Sequence, residues 1–337
     1  MLKKCSQVCM AAVCISFLIC SASIAEAKPL LIRIGGQVPV DQMGSIAINE
    51  IAKEIEAKTN GAIKTRTYPA SQLGDYVLMY EELMRGDLDM AMITAPTHVD
   101  TRFVLPWMPY PAKGWNDAKR VFDNRGWLVK TMTAAHKEKG VRFMGFFMNG
   151  FGGVGTTKPV KNILDFTTPK NIVLRCSPIA HSRYLVESLN FRSVTIPYAE
   201  LYVSLQTGVA DGWVGGNPAY NYTGFRDVIK YYYQINNEVN ADQVLISEAT
   251  WKKFTLEQQK IVTEAIERQN KRSFESAEAE DQKYIDLMKK SGIKVYTYTE
   301  EELAKTAEHV RSVVWEQMKA DLGENLYKEL VKEFNVR

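Results

Sequence analysis

Between Leu30 and Ile93 the chain alternates short apolar runs with stretches of helical period, and that alternation limits the folds open to it. Leu30 to Ile34 reads as a strand ending at Gly35-Gly36-Gln37. A helix follows, with Ile46, Ile48, Ile51, Ala52 and Ile55 at roughly helical spacing and Asn60-Gly61 as its stop. Ala62 to Tyr68 is a second strand, closed by Pro69. Tyr76, Met79, Tyr80 and Leu83 carry a second helix to Gly86, and Leu88 to Ile93 is a third strand. A β-α-β-α-β order implies parallel strands with helices on their faces, which is an α/β fold.

The rest of the chain extends that pattern. Three prolines in Leu105-Pro-Trp-Met-Pro-Tyr-Pro predict a stiff loop without regular structure. Val141 to Met148 reads as a strand, and the glycine-rich Asn149 to Gly155 reads as a crossing point between lobes. Leu256 to Lys289 is a long helical tract without a sustained apolar heptad, so a helix bracing two lobes fits better than a coiled coil. Ile293 to Tyr298 is a late strand and Glu300 to Glu333 is mostly helical. A chain of 337 residues is long enough for two lobes.

The amino terminus reads as a secretory signal peptide over residues 1–27. Lys3 and Lys4 precede an apolar run from Met10 to Cys20, and Ala25-Glu26-Ala27 is a small-x-small cleavage site before Lys28. The expected location is the periplasm. Cys5, Cys9, Cys14 and Cys20 leave with the signal, so Cys176 alone remains and no internal disulfide is expected. Loss of Lys3, Lys4 and Glu26 lowers the formal net charge from +3 to +2. Near-neutrality with interspersed signs argues against nucleic acid as a partner.

Chemistry concentrates between Asn171 and Pro218. Ile172-Val173-Leu174 is an apolar strand with Arg175 at its carboxyl end, where open α/β sheets bind ligands. A guanidinium there is costly to bury unpaired, and its fork suits a planar carboxylate. An internal ion pair is an equal alternative at this point. Trp213, Tyr220 and Tyr222 fall in an irregular glycine-rich stretch and are candidate pocket walls. Tyr231-Tyr232-Tyr233 reads as a half-buried strand.

Other chemistries find little support. Gly150-Phe-Gly-Gly-Val-Gly155 matches the G-x-G-x-x-G spacing, but Thr156-Thr157-Lys158-Pro159 offers no helix start for a pyrophosphate, so a hinge is the better reading and no cofactor is expected. His98, His136, His181 and His309 lack ligand spacing, and no metal is expected. No nucleophile elbow is present.

The mature chain resembles the solute-binding subunits of tripartite ATP-independent periplasmic (TRAP) transporters, DctP type. The likeness lies in TYPASQLGDYVLMYEELMRGDLDMAM (Thr67–Met92), LPWMPY, TTKPV, VLR and VTIPYAELYVSLQTGVADG. It implies a two-lobe periplasmic-binding-protein fold with mixed, mainly parallel sheets and a long helix bracing both lobes. The lobes are expected at 28–150 plus about 243–283, and at 151–242 plus about 284–337. It further implies a small organic acid bound in the cleft and handed to a membrane permease, with no chemistry on the ligand. Arg175 matches the family's principal carboxylate-gripping arginine. Asn217, Gln37, Asp75 and Thr94 match positions that contact the ligand or line the cleft.

Three departures bear on the ligand. Many relatives carry a second arginine where this chain has Gly152 and Gly153. The turn from Asp165 to Ile172 is lengthened, and Asp211 to Pro218 is two residues longer than usual and lacks the usual glutamate. The expected ligand is a small monoanionic acid, a carboxylate, with an aromatic acid or a sulfonate as the other options and Trp213 the leading wall. A sensing module for a membrane receptor and an exported hydrolase are the alternatives.

Overall fold

The computed structural model describes residues 28–334, so the signal-peptide segment lies outside the described residues. Four strands come first: β1 (Leu30–Gly36), β2 (Ile63–Tyr68), β3 (Met90–Ile93) and β4 (Val141–Phe151). Next are β5 (Val154–Thr156), β6 (Val173–Cys176), β7 (Arg192–Thr195), β8 (Gly212–Val214) and β9 (Tyr231–Gln234), and finally β10 (Val239–Ser247) and β11 (Lys294–Thr297). They form two mixed sheets. The first has the order β2-β1-β3-β10-β4 and the second β11-β9-β5-β8-β6-β7. β1 is parallel to β2 and β3, as the alternation predicts, while β10 enters antiparallel between β3 and β4.

Four helices position the site: α1 (Met43–Lys58), α2 (Tyr76–Arg85), α3 (Pro218–Phe225) and α4 (Leu256–Lys290). In α1, Ile48, Ile51 and Ile55 lie on one face and pack with Ile32, Ile34 and Val244 of the first sheet. A capping box of Thr255 and Gln258 starts α4.

Most of the bracing by α4 falls on β4, the edge strand of the first sheet. An edge leaves backbone groups unpaired, and three side chains from one face of α4 satisfy them. Asn270 Nδ2 donates to Met144 O (3.0 Å), Met148 N donates to Ser273 Oγ (2.8 Å), and Phe151 N donates to Asp281 Oδ2 (2.9 Å). Gly145 and Gly150 are needed here, since a Cβ would meet Asn270 Nδ2 at 2.7 Å and Asp281 Oδ1 at 2.2 Å, and both have positive φ. Further along, Ile285 and Met288 join Trp213, Phe225 and Tyr232 in the second lobe's core. One helix thus braces both lobes.

The chain crosses between sheets at two adjacent places. Gly152-Gly153 joins β4 to β5, and Ile235 to Glu238 joins β9 to β10. Gly152 N donates to Glu238 O (2.9 Å) and Gly153 N to Gly216 O (3.2 Å), which ties the crossings together. β4 continues to Phe151 and β10 begins at Val239, so the sheets divide a few residues away from the boundaries read at 150 and 242. The carboxyl-terminal helical region touches both lobes: Trp315 Nε1 donates to Pro109 O (2.9 Å), and Thr306 Oγ1 donates to Leu164 O (3.1 Å).

Two local expectations are corrected. A 3-10 helix covers Thr101–Trp107 and includes Pro106, because i→i+3 turns tolerate a residue without an amide hydrogen. The strand carrying Arg175 begins at Val173, so Arg175 lies inside β6, paired in register with Val194 and Trp213.

Candidate functional site

Arg175 is 2% exposed. Its Nε donates to Ile196 O (2.8 Å) and its Nη1 to Ser177 Oγ (3.2 Å), and the Tyr198 ring lies 6.0 Å away. Among the described residues no carboxylate forms a salt bridge with it, so the internal ion pair left open by the sequence is not formed. Burial pulls its pKa down, while the polar groups of Cys176, Tyr198 and Glu238 oppose the shift. A guanidinium has five donors, and two bonds leave capacity for a bound anion.

A polar chain connects the two sheets beside the crossings. Gln37, just after β1, donates from Nε2 to Thr94 Oγ1 (3.1 Å) and to Asp242 Oδ1 (2.8 Å), and Thr94 N donates to Gln37 Oε1 (3.0 Å). Asn149 Nδ2 donates to Asp242 Oδ2 (3.0 Å), and Asn217 Nδ2 donates to Asn149 O (2.5 Å). Asn217 also caps α3, its Oδ1 accepting from Tyr220 N (3.0 Å) with Pro218 at the first helical position. Burial pushes the Asp242 carboxyl up to about 7, against the Asn149 amide, which favours the charged form. A separate interlobe bond runs from Gln42 Nε2 to Thr223 Oγ1 (3.1 Å).

The structure therefore brings Gln37, Thr94 and Asn217 into one network and puts Arg175 on the second sheet. Asp75 stands apart: it is exposed and caps α2 by accepting from Leu78 N (2.9 Å). Trp213 is 3% exposed and packs 5.0 Å from Phe225, its Nε1 donating to Asn221 Oδ1 (3.0 Å). Tyr198, 56% exposed, lies edge-on to Trp213 at 6.2 Å and is the aromatic beside the guanidinium that retains open surface.

Sequence reading passed over Tyr198, Asp242 and Glu238. Tyr198 directly follows Ile196-Pro197, the turn whose carbonyl holds Arg175. Glu238 follows Asn236-Asn237 in the connection between β9 and β10, and no local pattern singles it out. Its Oε1 accepts from Asn240 Nδ2 (3.1 Å), and burial raises its pKa while Gly216 N–H and Arg175 lower it. No group of three or more His, Cys, Asp or Glu among the described residues could hold a metal, and no described helix is long and apolar enough to cross a membrane. A groove lined by Asn49, Lys53, Glu56 and Thr67 lies on the outer side of α1 and β2 and does not include Arg175.

These features agree with comparisons to known proteins. The family described as bacterial extracellular solute-binding protein, family 7 (DctP), matches residues 34–321. The chain is 25% identical over 326 residues to the sialic acid-binding periplasmic protein SiaP of Vibrio cholerae, covering 94% of this chain and 97% of that protein. It shares its fold with a TRAP periplasmic solute-binding protein of Ochrobactrum anthropi that has its C-terminus bound in the ligand-binding pocket (TM-score 0.81, 20% identity, 91% of this chain and 95% of that one). A similar match is a TRAP periplasmic solute-binding protein of Desulfovibrio salexigens with bound orotic acid (TM-score 0.78, 20% identity, 90% and 98% covered). With the motifs, the two-sheet architecture and a match over most of its length in agreement, the chain belongs to the DctP family of bacterial extracellular solute-binding proteins.

Proposed function

We propose that the protein captures a small organic acid anion in the cleft between its two sheets, with Arg175 as the anion grip, and delivers it to the membrane permease of a TRAP transporter. One observation carries the residue assignment: Arg175 is buried, half-satisfied by a carbonyl and a hydroxyl, and unpaired with any described carboxylate. Sialic acid and orotic acid, named for two of the similar proteins, are both carboxylic acids, which supports the same class here.

Closure of the lobes excludes water and strengthens the arginine–anion pair in the lower dielectric. The ligand shifts the population only through a higher affinity for the closed form, to which the Gln42–Thr223 and Asn217–Asn149 contacts contribute. Gln37, Thr94 and Asn217 hold the polar floor in register, and Tyr198 supplies an aromatic wall. Trp213 supports that wall from behind, and Asp75 fixes the start of α2. The same reading has the signal segment removed after Ala27 on export, which amino-terminal sequencing of the secreted protein would test.

A thermal-shift screen of carboxylates, sulfonates, keto acids and aromatic acids tests the capture reading. Ligand at roughly 100 times its Kd stabilises by about 2.7 kcal/mol. A hit that is recovered chemically unchanged and depends on Arg175 supports the reading. Sulfonate binding without any carboxylate binding overturns the carboxylate assignment.

A further inference from the structure

One short segment ties an open aromatic ring to Arg175. Ile196 O accepts from Arg175 Nε at 2.8 Å, Pro197 sets the next turn with a φ of −55°, and the Tyr198 ring centroid then lies 6.0 Å from Arg175 Cζ. Tyr198 packs edge-to-face with Trp213 at 6.2 Å and with Phe225 at 6.0 Å. Both of those rings are buried, and Trp213 is held by its bond to Asn221 and by Gly216, where a Cβ would collide with the indole. Tyr198 itself is 56% exposed. The ring is thus fixed by two buried aromatics yet open over much of its surface. An acid group on the guanidinium brings the body of its ligand within the roughly 4.5–7 Å range of aromatic contacts with that ring.

The polar side chains between the sheets, by contrast, are largely spent on one another. Gln37 uses both amide hydrogens, on Thr94 and Asp242, and its carbonyl accepts from Thr94 N. Asp242 has one oxygen on Gln37 and the other on Asn149, and Asn217 is divided between Asn149 O and Tyr220 N. The donors left in that network are one amide hydrogen each on Asn149 and Asn217 and the Thr94 hydroxyl. Most hydroxyls of a polyhydroxylated acid would lose water there without gaining a partner, whereas a flat apolar body needs none. We propose that the cleft selects planar aromatic monocarboxylates, and that Tyr198 is the specificity-determining residue that reads the ring. This inference rests on Arg175 as the anion grip and narrows the ligand class of that same cleft.

Matched acids that differ only in the flatness of the ring provide the test: benzoate against cyclohexanecarboxylate, and phenylacetate against cyclohexylacetate, with gluconate as the polyhydroxylated comparison. Calorimetric titration of the full mature protein should show the aromatic member of at least one pair binding about fivefold or more tightly than its saturated partner, and more tightly than gluconate. Tyr198→Ala should erase that preference, Tyr198→Phe should keep it, and Arg175→Ala should abolish binding of every acid. Saturated partners that bind as well in both pairs overturn the proposal, as do gluconate binding more tightly than either aromatic acid, failure of both aromatic acids to bind, and a preference that survives Tyr198→Ala. Gluconate binding that vanishes in Arg175→Ala leaves the arginine grip standing while the aromatic class falls, whereas undiminished binding by Arg175→Ala removes the grip itself. The wild-type comparison does not depend on whether any variant folds.

Discussion

Gly152 donates its backbone N–H to the carbonyl of Glu238 at 2.9 Å, and a Cβ on Gly152 would lie only 2.6 Å from Glu238 Cγ. The two crossings between the lobes are therefore in backbone contact, and the smallest residue on one admits the carboxyl side chain of the other.

Gly152→Ala should destabilise the protein by about 1–3 kcal/mol, the usual cost of overpacking a filled site. Combining it with Glu238→Ala should recover much of that loss, because the displaced side chain is gone. Urea unfolding of both single variants and the double variant measures the coupling; strict additivity would show that the clash is relieved elsewhere.

Arg175→Ala should weaken anion binding by about 3–5 kcal/mol, more than a hundredfold in Kd, as expected when one partner of a buried charge pair is removed. Arg175→Met should abolish binding equally while leaving the ligand-free melting temperature unchanged or higher, since the ligand-free arginine is buried without a counter-ion. Calorimetry and thermal melting on the same variant separate the two effects. A large loss of ligand-free stability would mean that the arginine serves the fold.

Gln42→Ala removes the interlobe bond to Thr223. It should weaken ligand binding by up to about tenfold, in line with roughly 0.5–1.5 kcal/mol for one hydrogen bond. If the bond favours the closed state, ligand affinity falls while the urea midpoint of the ligand-free protein barely moves.

Acid should destabilise the native state between pH 6.5 and about 4, because burial depresses His136 and His181 from 6.5 to about 4. In that window the unfolded histidines bind protons that the folded ones refuse, so stability falls as the pH is lowered, by up to about 1.4 kcal/mol per pH unit for each. Asp242 acts oppositely. Its carboxyl is raised from 3.8 to about 7, so its contribution is greatest below 3.8 and is lost as the pH rises towards 7. His181→Leu should flatten the acid slope, measured by urea unfolding at several pH values; an unchanged slope would assign the transition to other groups.

Legibility in the sequence followed the range of the forces involved. β1, β2 and β3, the helices between them and the long helix α4 were visible because apolar period and end signals are local. β5 and β8, three residues each, have too few side chains to show a period and exist because neighbouring strands pair with them. β10 runs antiparallel between β3 and β4, and every residue of it is buried, so no alternation marked it.

The sequence by itself determined the α/β class, the family, and the arginine that ends an apolar run in an ordinarily costly place. The tertiary structure decided what surrounds that arginine. It supplied the Ile196 carbonyl, Ser177 and the exposed Tyr198, turned Trp213 into the core, and used Asp75 as a helix cap. It also put Glu238 into the space left by Gly152, 86 residues away in the chain by their numbers. Local periodicity reports what a segment prefers, whereas a site is a meeting of segments, and only the packed sheets fix which side chains meet.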